Sequence, residues 1–122
     1  TTPDGSSSFH LPRAIGIKRA MEMTLLGDRY TAQQMANMGL VNFVVPNEKL
    51  DEETDKLASR MANGPTQVYG QGKRLMYSSL ENEFESQLQL EAECFADCAK
   101  RNDYREGITA FVEKRKAVFT GT

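Results

Sequence analysis

Apolar residues recur three and four positions apart along most of the chain, and this spacing predicts helices rather than strands. From Arg13 to Leu26 the positions Ile17, Ala20, Met21, Thr24 and Leu25 form one stripe, which Met23 and Leu26 widen beyond a single face. A helix with so wide a stripe is expected to be buried on several sides. Pro12 falls in its first turn, where a missing N–H leaves no hydrogen bond unmade, and Gly27 falls at its end as a left-handed cap. The residues before it, 1–11, carry Pro3, Asp4, Gly5 and three serines without periodicity, and read as a loop.

Thr31 with Gln34 has the spacing of a capping box and opens a short helix that Gly39 closes. The run Leu40-Val41-Asn42-Phe43-Val44-Val45 is rich in β-branched and aromatic residues, so it predicts one short extended segment, stopped by Pro46. Four longer helical segments follow. Leu50, Leu57, Ala58 and Met61 mark the first, which Asn63-Gly64 ends; Pro65 starts the second, to about Tyr77. Ser78 with Glu81 reads as a second capping box, leading into a helix to about Lys100 with an inner stripe of Phe84, Leu88, Ala92, Phe95 and Ala99. Asp103 with Glu106 reads as the cap of a last helix carrying Tyr104, Ile108, Phe111 and Val112. The pattern is mostly α, with at most one short strand near residues 41–45.

Composition narrows the function classes. The chain has 122 residues, 39% hydrophobic and 26% charged, the balance of a globular domain or a piece of one. A net charge of -2 argues against a general nucleic-acid binder, which needs a surplus of cations facing phosphates. No apolar run approaches the roughly 20 residues of a membrane span, so no membrane partner is expected. Two cysteines, Cys94 and Cys98, do not make a disulfide scaffold, and a reducing, cytoplasmic compartment is expected, or a mitochondrial one if a targeting segment has been lost. The chain begins Thr1-Thr2-Pro3-Asp4-Gly5, without an initiator Met or a signal segment, and is expected to be part of a longer protein.

The residues by themselves carry little chemistry. His10 is the only histidine; Ser6, Ser7 and Ser8 lie beside it, but sequence neighbours seldom form a catalytic triad, and a loop or interface histidine is the plainer reading. Cys94 and Cys98 lack further ligands at metal-binding spacing, so no metal is expected, and they read as small buried side chains. The six methionines fall on apolar faces, where core filling is the plainer reading and a flexible acyl-binding surface the alternative. Glu113-Lys114-Arg115-Lys116 reads as a solvated last helical turn whose three cations could also meet phosphate groups. Pro3-Asp4-Gly5 is a turn whose Asp could act as an acid–base group.

Taken in order, these pieces resemble the crotonase (enoyl-CoA hydratase/isomerase) superfamily. The resemblance rests on Pro3 through Gly16, on Ala20-Met21-Glu22-Met23-Thr24-Leu25-Leu26-Gly27-Asp28-Arg29, and on Ala32, Ala36, Gly39-Leu40-Val41-Asn42 and Val45-Pro46. It ends on Arg105 through Lys116. The resemblance implies that residues 1–11 are the end of an active-site loop and that residues 12–122 are a helical region used for trimer formation and for covering the active site. It places an N-terminal α/β spiral core upstream, together with the two backbone N–H groups of the oxyanion hole and one of the two hydratase carboxylates. In this family two preorganised N–H donors stabilise the enolate of a CoA thioester while a carboxylate moves protons or activates water.

The Pro-Asp-Gly turn resembles members in which an Asp at this place is the base or nucleophile. The resemblance therefore implies an enoyl-CoA isomerase with Asp4 as its catalytic residue, a raised pKa in an apolar pocket suiting a proton shuttle. The alternatives are an enoyl-CoA hydratase and a helical oligomerisation fragment without activity. Phe111 and Lys114 match positions that touch the CoA of a neighbouring subunit, Phe111 on the adenine and Lys114 on a phosphate. No cofactor is implied beyond the CoA thioester substrate, and the expected assembly is a homo-trimer or a dimer of trimers.

Overall fold

Gly16 decides how the first third of the chain folds. Its backbone adopts φ 81°, ψ 153°, a conformation closed to residues with a side chain, and it interrupts what the apolar stripe predicts as one helix. A computed structural model describes residues 2–122 and has α1 (Ser7–Ile15) on one side of Gly16 and α2 (Ile17–Leu26) on the other. Helix α1 also begins within the segment expected to be a loop. The Asp4 carbonyl accepts the Ser7 N–H at 2.9 Å, and the Ser6 carbonyl accepts those of Phe9 and His10 at 3.0 and 3.1 Å, so the helix is under way before Pro12. Pro12 therefore sits inside α1 rather than in its first turn. The carbonyl it leaves without an N–H is that of Ser8, near the helix start, and its own carbonyl accepts the Gly16 N–H at 3.0 Å.

Helix α3 (Ala32–Asn37) has the expected capping box. Gln34 N–H donates to the Thr31 hydroxyl at 3.2 Å, and Thr31 N–H donates to the Gln34 carboxamide oxygen at 2.8 Å. Its C-terminus closes as a Schellman motif: Gly39, at φ 83°, donates to the Ala36 carbonyl and Leu40 to that of Met35. Residues 40–45 form no strand, which is within the expectation of at most one. A strand needs a partner, and every regular element among the described residues is helical. Val41, Phe43 and Val44 accordingly stand exposed.

A 3₁₀ turn at Asn47–Lys49 leads into α4 (Leu50–Ala62), which ends at Asn63 and Gly64 as expected. Pro65 caps α5 (Thr66–Ser78). The Ser78–Glu81 box does not form. Helix α5 runs through Ser78, whose carbonyl accepts the N–H groups of Glu81 and Asn82, and α6 (Phe84–Ala99) starts only after Glu83. The predicted inner stripe of α6 is also not its packed face. Phe84, Leu88 and Phe95 are exposed, whereas Cys94 is buried. The face turned to α5 is polar: Gln71 Nε2 donates to Asp97 Oδ2 at 3.0 Å, Cys94 Sγ donates to Gln71 Oε1 at 3.2 Å, and Gln87 Nε2 donates to the Leu75 carbonyl at 3.1 Å. Every polar atom of the Gln71 carboxamide engaged here has a partner on α6, which satisfies the contact that burial requires.

Helix α7 (Asn102–Val112) is capped by Arg101, not by Asp103. Phe95 and Tyr104 meet edge to face, 6.0 Å between centroids, where α6 gives way to α7. The helix stops at Val112, so Glu113 to Lys116 are not its last turn. The chain divides into two compact units, the first running to Leu50 and the second spanning Asp51–Thr122. No helix among the described residues is long and apolar enough to cross a membrane. Thr1 lies outside the described residues.

Candidate functional site

In the first unit the residue of interest is Asp4. It opens a turn in which both central residues, Gly5 (φ 56°) and Ser6 (φ 66°), have positive φ, as in a type I′ turn. Glycine adopts that conformation freely; Ser6 does so at a cost on the order of 1 kcal/mol. The turn is fastened through the Asp4 backbone, since the Asp4 carbonyl accepts both the Ser7 N–H (2.9 Å) and the Ser7 hydroxyl (2.6 Å). The carboxylate is left exposed and unengaged by the described residues. Behind the turn, Arg13 stacks its guanidinium 3.6 Å from the centroid of the Phe9 ring and donates to the Phe9 carbonyl at 3.0 Å. His10 meets Phe9 edge to face at 5.1 Å. Neither the Ser6 nor the Ser7 hydroxyl is poised as a nucleophile, because they donate to the Gly5 and Asp4 carbonyls.

In the second unit Phe111 and Lys114 come together at the C-terminal end of α7. Phe111 is 84% exposed, although its spacing would suit a core stripe, so its ring is available to a flat partner. Lys114 follows the helix at φ 54°, the left-handed position of a second Schellman motif. Its N–H donates to the Phe111 carbonyl at 3.3 Å, and the Arg115 N–H donates to that of Ala110 at 3.0 Å. The same position in α3 is held by Gly39.

The three cations of the 114–116 run, alike in sequence, are distinct in the structure. Arg115 places NH1 and NH2 on the two carboxylate oxygens of Glu106 at 2.6 and 2.8 Å, and Nε on Glu113 at 2.6 Å. Such fork-to-fork pairing is the strongest geometry open to Arg and a carboxylate. It holds the Glu106 carboxyl down from 4.5 to about 2, the Arg115 hydrogen bond contributing most and the Val118 N–H next. It raises the Arg115 guanidinium above its ordinary value. Lys116 lines an open groove of about 880 Å3 that also carries Glu52 and Asp55 of α4. Arg115 is thus the paired cation of the three, whereas Lys114 and Lys116 are both exposed and neither forms an ion pair among the described residues.

Glu106 and Asp103 escaped the reading of the sequence as anything but cap residues. Asp103 is 4% exposed, and its carboxylate accepts the N–H groups of Thr120 (2.7 Å) and Gly121 (2.9 Å). Its own N–H donates to the Thr122 carbonyl at 2.9 Å. Glu106 Oε1 accepts the Val118 N–H at 2.8 Å. Two carboxylates one helical turn apart thus strap the last residues along α7. Gly121 is required there twice over, by φ 78° and because a Cβ would come within 2.9 Å of the Thr66 hydroxyl. The partners are 9 to 19 residues distant in sequence, and no helical periodicity reports them.

This arrangement of helices recurs in known structures. A crystal structure of an enoyl-CoA hydratase subunit from Geobacillus kaustophilus superposes with a TM-score of 0.94 at 34% identity, over 100% of this chain and 48% of that one. The chain is thereby the helical C-terminal region of a crotonase fold. The family model for enoyl-CoA hydratase/isomerase matches residues 1–122, and the chain belongs to that family. Among curated relatives, a probable enoyl-CoA hydratase of Rhodobacter capsulatus is 35% identical over 98% of this chain and 46% of its own length. A 1,2-epoxyphenylacetyl-CoA isomerase of Escherichia coli is 37% identical over 98% of this chain and 45% of its own. The chain spans about half the length of the curated relatives it matches.

Proposed function

We propose that the chain is the helical part of an enoyl-CoA isomerase in which Asp4 is the catalytic base. The observation that carries this reading is the Asp4 turn, which is fastened by backbone hydrogen bonds and by a residue in an unfavourable conformation, while its carboxylate is left without a partner. Asp4 takes a proton from one carbon of the bound enoyl thioester, the electrons move into the thioester as an enolate, and the carboxylic acid returns the proton to a carbon further along. The isomerase name of the E. coli relative is in keeping with this reading.

The amides that would stabilise the enolate belong to an upstream α/β core, which supplies the oxyanion hole while residues 1–11 supply the base. Phe111 packs on the CoA adenine and Lys114 pairs with a CoA phosphate, in a homo-oligomer, a trimer or a dimer of trimers, where one subunit serves its neighbour. The exposed Ile17, Met21, Leu25 and Leu26 on α2 give the uncovered apolar surface that assembly requires. The substrate is an acyl-CoA, no further cofactor takes part, and the enzyme works in the cytoplasm, or in mitochondria. The hydratase alternative is favoured by the R. capsulatus relative's name.

The test is Asp4→Asn in the enzyme as the cell makes it. The substitution keeps the shape and removes the base. Double-bond migration in a 3-enoyl-CoA is expected to fall about 10²-fold or more, the scale of a lost general base, with KM little changed. Unaltered isomerisation beside retained hydration would make Asp4 a turn residue and the protein a hydratase.

A further inference from the structure

The resting place of Lys114 is unusual for a lysine. At the left-handed position after a helix, glycine is the common occupant, as Gly39 is after α3, and a side chain there strains the backbone. The strain persists only if the surroundings hold it. Glu106 supplies the hold, because it grips the chain on the far side of Lys114 by three hydrogen bonds, two from the Arg115 guanidinium and one from the Val118 N–H. On the near side, the Schellman bonds to Phe111 and Ala110 fix the helix end. Lys114 is thus bracketed between two anchored segments. Arg115 is neutralised by Glu106 and Glu113, so the exposed ammonium of Lys114 stands next to a compensated cation, and of the two unpaired lysines of the run it is the one held at the strained helix end.

We infer that Glu106 is a positioning residue for CoA binding, acting through Arg115 to present Lys114 to a phosphate of the nucleotide. The inference rests on the reading of Lys114 given above. Preorganisation of this kind raises affinity by removing the ordering cost of a flexible lysine at the moment of binding. Glu106 itself touches no ligand, and its effect is confined to ligands that carry the phosphate.

The experiment measures dissociation constants by calorimetry for two unreactive probes, butyryl-CoA and butyryl-pantetheine, the second lacking the nucleotide. Glu106→Gln preserves side-chain volume and breaks the charged fork. It is expected to weaken butyryl-CoA about tenfold, the scale of one charge-assisted contact, and to leave butyryl-pantetheine unchanged. Arg115→Lys, which keeps the charge and loses the fork, is expected to do the same. In a Lys114→Ala background, Glu106→Gln is expected to add nothing. The pantetheine probe doubles as the folding control. Equal weakening of both probes, additivity with Lys114→Ala, or no effect of Glu106→Gln where Lys114→Ala weakens butyryl-CoA would each overturn the positioning role. If Lys114→Ala itself leaves butyryl-CoA affinity untouched, the phosphate contact fails, and the inference with it.

Discussion

The two units are held together by different means. In the first, the side-chain hydrogen bonds from the Ser7–Asp4 contact to the Thr31–Gln34 box join positions four apart or fewer. Among its described residues the only buried apolar side chain is Ala20, while Leu25, Leu26 and Phe43 are 65% to 75% exposed. In the second, side chains reach across 9 to 26 residues, through Gln71–Asp97, Glu106–Arg115 and Asp103–Gly121. Helices of 9 or 10 residues such as α1 and α2 are marginal by themselves, so the first unit depends on apolar cover that it does not contain. The second unit carries its own polar frame. The proposed base sits on the locally tied unit and the proposed phosphate cation on the framed one, so one chemical group awaits partners and the other is already aimed.

The sharpest way to break this contrast is at Asp103. Asp103→Ala removes a buried acceptor and leaves the Thr120 and Gly121 amides unpaired, at about 2–3 kcal/mol for the charged hydrogen bonds lost. Hydrogen exchange should show the loss as faster exchange of those two amides and of the first turn of α7, with no change in α1 to α3. Spread of the effect into the first unit would mean that the two are not independently tied.

Acid should loosen the same strap at its other end. The Glu106 carboxyl is lower when folded, about 2 against 4.5, so the folded chain binds fewer protons in that interval. Its contribution is therefore complete above about pH 4.5 and is lost as pH falls through about 2. The Val118 amide should exchange faster relative to neighbouring amides as pH drops across that window, and Glu106→Gln should remove the trend. A trend that survives the substitution would assign it to another group, for which Asp97, held low first by the Arg101 hydrogen bond and next by Gln71, is the candidate.

In the first unit the largest local effect expected is smaller. Thr31→Ala breaks one arm of the capping box, which costs about 1 kcal/mol. The amides of Gln34 and its neighbours in α3 should open more readily, and those of α7 and the tail should not respond. A response in the tail would contradict the local character of these ties.

What could be read from the sequence follows the same division. The Thr31–Gln34 box, the Gly27 and Gly39 caps and the boundaries of α4 and α5 are local chemistry, and their residues announce them. The break at Gly16 was hidden because the apolar stripe continues across it and outweighed one glycine. The misplaced start of α6 came from Ser78, a residue equally suited to end one helix or begin another. The roles of Asp103 and Glu106 were invisible for a different reason. Their partners lie in a tail without periodicity, and the choice between capping a helix and strapping a distant segment depends on where the chain returns. For the site, Asp4, Phe111 and Lys114 were marked by resemblance, whereas the frame around Lys114 needed coordinates.

The smallest effect concerns Lys114 and is expected to run in opposite directions for stability and binding. Lys114→Gly places at this helix end the residue that α3 already has in Gly39, and relieves a left-handed lysine at about 1 kcal/mol. Part of that gain is offset, because glycine has more freedom to lose on folding. The second unit should therefore become slightly more stable, by less than about 1 kcal/mol, seen as slower exchange of the Lys114 and Arg115 amides that close the Schellman motif. Butyryl-CoA should bind more weakly, since the ammonium is gone. The sign of the stability change separates two accounts of the same residue. If lysine were there for the fold, its removal would destabilise the helix end. If it is held there against its conformational preference to meet a phosphate, the fold improves as the ligand is lost, which is the exchange expected at a site where strain is retained for function.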